Sequence, residues 1–180
     1  MNRICFSGRK RFKLYCWLKE ESALSNNLQN IQRVFTNYDY RVQKMVNLVA
    51  MQNNRGVLAG LLRRRLRVKN NISISSDCIL GKKMRLPHSF NIVFGKDCVI
   101  GDNCTIYNNV TFGQNRGKYP VIKDNVIIYP NTTVIGGITI GSNCVIGANS
   151  LVRSSFPDNS LIAGNPARLI RVLEGEREFY

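Results

Sequence analysis

The chain has 180 residues, of which 44% are hydrophobic, and a net charge of +15. That length suits one domain, or one domain with an appendage, and the apolar content excludes a chain too polar to build a core. Its apolar runs fall far short of the ~20 residues of a membrane-spanning helix. The opening "MNRICFSGRKRFKLYCWLKE" has no continuous apolar segment of the secretory kind, so the expected location is the cytoplasm.

Residues 1–70 carry 15 Lys and Arg against three acids, a net +12, whereas residues 71–180 carry 11 against eight, a net +3. A basic region, 1–70, is thus joined to a nearly neutral body. Its pattern is helical. Leu24, Leu28, Ile31 and Phe35 share one face with Ser22 as a cap. Val42, Met45, Val46 and Val49 form a second stripe after Asp39, and Leu58, Leu61, Leu62 and Leu66 form a third within "LLRRRLRVK". An apolar stripe followed by Arg63, Arg64, Arg65, Arg67 and Lys69 is the pattern of an interfacial helix. It predicts peripheral contact with an anionic surface at the inner membrane face. Nucleic acid is not expected, because no aromatic stacking pattern accompanies the charge.

From residue 71 to about 155 the sequence repeats every six residues. Ile74, Leu80 and Leu86 form one block, Phe94, Ile100, Ile106 and Phe112 a second, and Ile122, Ile128, Val134, Ile140, Ile146 and Val152 a third. The blocks are offset by two extra residues near His88 and by four near "QNRGKY". A six-residue period is not helical; short strands separated by turns satisfy it. Cys78, Cys98, Cys104 and Cys144 all fall four residues after an apolar anchor, a slot that Val110, Val126, Thr132 and Ser150 also occupy. The slot wants a small buried side chain, and free cysteine fits it. Spacings of 20, 6 and 40 make no CxxC pair, so neither a metal site nor a disulfide is expected. Cys5 and Cys16 lie outside the repeat and are unassigned. Gly81, Gly95, Gly101, Gly113, Gly141 and Gly147 follow anchors, which reads as turns needing permissive backbone angles. The tail, 156–180, leaves the repeat at Pro157 and is expected to pack back over the last coil.

The single histidine, His88 in "RLPHSF", sits where the repeat gains two residues. A bulge there turns a side chain outward. A lone histidine is otherwise a structural residue, and both readings stand on spacing alone.

The stretches "ILGKKMRLPHSFNIVFGKDCVIGDNCTIYNNVTFG", "YPVIKDNVIIYPNTTVIGGITIGSNCVIGANSLV" and "FPDNSLIAGNPARLI" resemble serine O-acetyltransferases. More closely, they resemble the short hexapeptide-repeat relatives encoded with polysaccharide biosynthesis genes. The resemblance implies an all-β left-handed parallel β-helix preceded by an α-helical region. It further implies a homotrimer with acetyl-CoA bound between neighbouring prisms, and direct acetyl transfer to a hydroxyl acceptor. His88 matches the general base, and imidazole suits that task at neutral pH. Gly113 matches the oxyanion-stabilising backbone. Gly113, Gln114, Pro130, Ala148 and Arg168 match the acetyl-CoA contacts, with Lys118 a second candidate for phosphate; Arg168 and Lys118 otherwise read as surface charge. One histidine cannot build the three-histidine zinc site of carbonic anhydrases of this fold, and no metal is expected.

Departures from the family are specific. Ser73 stands where an aspartate orients the base, and Ser73 or a backbone carbonyl is the expected substitute for fixing the tautomer; Pro87 stands where an aspartate contacts serine, and Lys118–Tyr119 where the family has Arg–His, in a loop four residues shorter. These losses favour a sugar hydroxyl of a surface-polysaccharide precursor, held by Tyr119 or Phe90, as acceptor. L-serine, with Lys118 meeting its carboxylate and Asp39 its amine, is the alternative. A non-catalytic trimer binding an anionic surface is the reading from another class.

Overall fold

The computed structural model describes residues 38–51 and 56–173. The stripe Leu24–Phe35 with Ser22, and Cys5 and Cys16, lie outside the described residues. The chain divides into two compact units, Met1–Tyr38 and Asp39–Tyr180, and nearly all described residues belong to the second.

Two helices open the described part. Helix α1 spans Tyr38–Met51, with Asp39 in its first turn and Val42, Val46, Val49 and Ala50 buried. An acid at that end complements the helix dipole. Helix α2 spans Val57–Asn70 and buries Ala59, Leu66 and Asn70. It ends at Asn71, a left-handed residue with φ 52°. The Asn71 and Ile72 N–H groups return to the carbonyls of Arg67 and Leu66, a Schellman-type stop.

Residues beyond α2 wind into a left-handed parallel β-helix of about four turns. The first face stacks β1 (Ser73–Ile74), β3 (Val93–Phe94), β6 (Thr111–Gly113), β9 (Thr133–Ile135) and β12 (Leu151–Val152). The second stacks β2 (Ile79–Leu80), β4 (Val99–Ile100), β7 (Val121–Ile122) and β10 (Thr139–Ile140). The third stacks β5 (Thr105–Ile106), β8 (Ile127–Ile128), β11 (Val145–Ile146) and β13 (Ser160–Gly164), and β14 (Ala167–Val172) turns back antiparallel on β13. Strand partners are in strict register, as in Thr111 to Thr133 and Leu151 to Thr133.

All thirteen anchors, Ile74 to Val152, point into the prism and are buried, with Phe94 and Phe112 stacked at a ring distance of 5.4 Å. The slot four residues on is buried too, including Cys78, Cys98, Cys104 and Cys144, all free thiols. Cys78 and Cys98 are neighbours, with sulfurs 3.3 Å apart, because twenty residues here make one full coil. That hydrogen bond, with burial, pushes the Cys78 thiol far up. Buried residues of α1 and α2 join the same apolar core.

The turns are not made as the glycines suggested. Residues with positive φ at the corners are mostly asparagines, among them Asn91, Asn103, Asn109, Asn125, Asn131, Asn143 and Asn149. Asparagine tolerates the left-handed region better than most residues. Along one edge their side chains form a ladder. Asn71 donates to Asn91 at 2.6 Å, Asn91 to Asn109 at 3.0 Å, Asn109 to Asn131 at 2.8 Å, and Asn131 to Asn149 at 3.1 Å. Gly81 has another reason to be glycine: a Cβ there would collide with the backbone of Gly101 in the next coil. Close approach between coils, rather than backbone angle, excludes a side chain.

Candidate active site

The edge between the third and first faces carries the site. In a regular coil six residues separate Thr105 from Thr111. One coil earlier, Arg85 bridges to Thr105 and Val93 pairs with Thr111, so eight residues cover the same span. The two extra residues lie within Pro87–Phe90, as the break in period implied. His88 takes a left-handed conformation, φ 51°, and the Phe90 N–H bonds back to its carbonyl at 2.8 Å. His88 and Phe90 are exposed, while Ser89 between them is 1% exposed. Alternation at the bulge therefore turns Ser89 in and its neighbours out.

Both helices grip this segment. Asn47 of α1 accepts from the Met84 N–H at 3.1 Å and donates to its carbonyl at 3.2 Å. Asn70 at the end of α2 donates to the Ser89 carbonyl at 3.0 Å, and the Asn91 N–H bonds to the Asn70 carbonyl at 2.9 Å. Asp39 Oδ1 accepts from the Ser89 N–H at 2.8 Å and from its hydroxyl at 2.6 Å. Burial opposes ionisation of Asp39, but the Ser89 hydrogen bonds, with the charge and backbone N–H of His88, outweigh it and hold the carboxyl below its ordinary value.

The imidazole of His88 heads an aromatic column. Its ring centroid lies 6.4 Å from that of Tyr107, which stacks on Tyr129 at 5.1 Å. Gly147 holds the same slot one coil further, and a Cβ there would press on Ala163 of the last coil. Arg168 pairs with Ala163 across β13 and β14. Pro130 and Ala148 are the residues after Tyr129 and Gly147. One edge of the prism therefore runs from His88 past Pro130 and Ala148 to Arg168. At about 4.8 Å per strand step that is about 24 Å over five steps.

The remaining candidates lie on the opposite edge of the first face. Gly113 ends β6, and its carbonyl accepts from the Gly136 N–H at 3.2 Å. The loop after it closes as a hairpin through paired Asn115 and Lys118 backbone bonds at 3.0 and 3.1 Å. Gln114 Oε1 is taken by the Gly117 N–H at 2.7 Å. Tyr119 is half-buried against Gly95, and the Lys118 stem lies along Gly137. One chain thus keeps Asp39 and Phe90 beside His88 and lines Pro130, Ala148 and Arg168 along the same edge at increasing distance, and it leaves Gly113, Gln114, Lys118 and Tyr119 across the face. Ser73 sits in β1, and its hydroxyl makes no hydrogen bond to His88.

Spacing missed Asn47, Asn70, Ser89, Tyr107 and Tyr129. For the tyrosines a signal existed: each follows an anchor, a slot that holds glycine after six of the thirteen anchors. Among the described residues no cluster of three His, Cys, Asp or Glu could hold a metal ion.

A parallel β-helix built from hexapeptides is a scaffold of bacterial transferases. The family pattern "Bacterial transferase hexapeptide (six repeats)" matches residues 119–154. The particular proteins this chain resembles are serine acetyltransferases. That of Staphylococcus xylosus is 40% identical over 119 residues, covering 64% of this chain and 55% of that protein. The crystal structure of the Neisseria gonorrhoeae serine acetyltransferase superposes with a TM-score of 0.69 at 28% identity, covering 79% of this chain and 58% of that one. A serine acetyltransferase in complex with CoA superposes with a TM-score of 0.65 at 27% identity, covering 73% and 57%. The chain therefore spans little more than half the length of these relatives. In sequence and fold it is similar to serine acetyltransferases, and it carries the hexapeptide pattern over residues 119–154.

Proposed function

We propose that this protein is an acyltransferase that passes an acetyl group directly from acetyl-CoA to an acceptor hydroxyl, with His88 as general base. The observation that carries the reading is the two-residue insertion that turns the only histidine outward from an otherwise closed prism. An alcohol must lose its proton as it attacks the thioester, and imidazole can take it. The edge from His88 to Arg168 supports an extended ligand, with its thioester near His88 and its phosphates near Arg168. Pro130 lacks an N–H and contributes shape or its carbonyl, while Ala148 offers an open backbone.

The oxyanion donor near Gly113 and the groups Gln114, Lys118 and Tyr119 lie on the far edge of the first face. A homotrimer, with one prism's edge facing its neighbour's, joins the two halves, and this incompleteness of the single chain supports that assembly.

The names of the relatives favour L-serine as acceptor. A sugar hydroxyl is the second reading. It is supported by Pro87 in place of a carboxylate and by Phe90, 56% exposed beside His88. On α2, exposed Val57, Leu61 and Val68 beside Arg64, Arg65 and Arg67 support peripheral contact with an anionic surface, which liposome sedimentation at low and high salt tests. Among the described residues no helix is long and apolar enough to cross a membrane.

A thiol-release assay with acetyl-CoA, L-serine and a panel of free, nucleotide-linked and lipid-linked sugars tests the activity and ranks the acceptors. A kcat/KM for L-serine above ~10⁴ M⁻¹s⁻¹ settles the ranking for serine. No thiol release with any acceptor removes the enzymatic reading.

A further inference from the structure

We propose that Asp39 is a positioning residue for His88: its carboxylate holds Ser89 inward and so aims the imidazole out of the prism. This rests on His88 being the base. Elsewhere on this edge the N–H of each corner asparagine pairs with the preceding coil, as Asn109 does with Phe90, Asn131 with Asn108 and Asn149 with Pro130. The inserted Ser89 has no rung to pair with. Its N–H and hydroxyl are nonetheless buried, and leaving them unpaired would be costly. Asp39 Oδ1 takes both, at 2.8 and 2.6 Å, and short bonds to a charged acceptor are the stronger kind. Asn70 fixes the Ser89 carbonyl at 3.0 Å. With Ser89 fixed on both sides of its peptide, His88 and Phe90 must face outward.

Asp39 lies fifty residues before Ser89, on α1, so the base is aimed by a part of the chain outside the repeat. Asn47, two turns along the same helix, holds Met84 by both backbone groups, so the insertion is gripped where it begins and where it peaks. Ser73, the residue in the register of the family's orienting carboxylate, makes no such contact. The carboxylate that remains acts on the backbone beside the base, and not through a hydrogen bond to the ring.

The test uses Asp39→Ala, Asp39→Asn and Ser89→Ala in the full chain, with two readouts. Because His88 is the only histidine, its imidazole gives one unobscured set of nitrogen–proton correlations. One sharp set is expected in the wild type, and broadened or doubled signals in Asp39→Ala. Ser89→Ala keeps the carboxylate charge and removes one of its two hydrogen bonds, so it should broaden the signals less. In acetyl transfer, kcat should fall about 10–100-fold in Asp39→Ala, as expected for a base displaced by about 1 Å. The fall should be smaller in Asp39→Asn, which keeps a neutral acceptor, and KM for acetyl-CoA should stay within twofold. A single sharp imidazole set in Asp39→Ala, or a kcat within twofold of wild type, would overturn the proposal. If Asp39→Ala does not fold, Asp39→Asn and Ser89→Ala decide by the same criteria. Absence of acetyl transfer in the wild type would defeat the parent reading instead, while the imidazole signals would still report whether Asp39 aims the ring.

Discussion

The regular coils and the His88 insertion solve one problem in two ways. Between Val121 and Val152 the chain lays each strand on its counterpart in the preceding coil, and left-handed asparagines at the corners bond to their counterparts. Everything the backbone needs is supplied by the next copy of the motif. Between Met84 and Asn91 the copy is imperfect. There Asp39, Asn47 and Asn70 on the two helices supply hydrogen bonds to the Met84 and Ser89 backbone. Self-pairing builds the scaffold, and a departure from it exposes a reactive side chain only where other elements satisfy what the departure leaves open.

The largest effect should come from breaking the regular side. Cys104 is fully buried, with its thiol 3.2 Å from the Lys123 carbonyl. Cys104→Arg would place an unpaired charge inside the prism, a cost of several kcal/mol, and should give no soluble folded protein. Cys104→Ala should fold, losing about 1–3 kcal/mol in denaturant unfolding. By the same burial, the four thiols of Cys78, Cys98, Cys104 and Cys144 should react slowly with thiol reagents under native conditions. Fast labelling of all four would contradict the inward assignment.

A smaller effect separates corner from strand. Asn131 has φ 60° and bonds to both Asn109 and Asn149. Asn131→Ala should cost about 1–2 kcal/mol, because alanine lacks the short polar side chain that lets asparagine tolerate the left-handed region. Asn131→Gly, free of that penalty, should cost less. Equal losses in the two variants would mean that the ladder, not the backbone angle, sets the price.

The smallest effect concerns acid. Burial alone would raise the carboxyl of Asp39, but the Ser89 hydrogen bonds and the nearby His88 hold it below its ordinary value. Its contribution is therefore fully present above the unfolded value and is lost as pH falls through the lower folded one. The stability difference between wild type and Asp39→Asn, measured by denaturant unfolding, should shrink as pH falls below about 4. A difference that stays constant down to pH 2 would remove the ionised carboxylate from the insertion's support.

The repeat was legible because thirteen anchors keep a six-residue step within three blocks, and one phase error would have shown as a polar residue inside. Every anchor from Ile74 to Val152 is buried, and the outward bulge at His88 followed from the same count. What spacing could not give is contact between coils. The glycines looked like turn residues, but Gly81 answers to the backbone of Gly101 in the next coil. Cys78 and Cys98 looked unrelated at twenty residues apart, yet the insertion makes that one coil. Asp39 drew attention as a charge that could meet an amine, but the structure spends its Oδ1 on Ser89. No local pattern links a helix's first turn to a bulge fifty residues on. Lys118 and Tyr119 read as neighbours of His88 only through the family's assembly, and one chain keeps them on the other edge.

The central claim is that the insertion exists to present His88 as a base. Its most direct test is turnover of acetyl-CoA with the best acceptor by wild type and His88→Ala, together with acetyl-CoA affinity. Turnover should fall about 10²–10⁴-fold with affinity nearly unchanged, since the edge running to Arg168 is left intact. A variant that keeps more than a tenth of wild-type turnover would contradict the account.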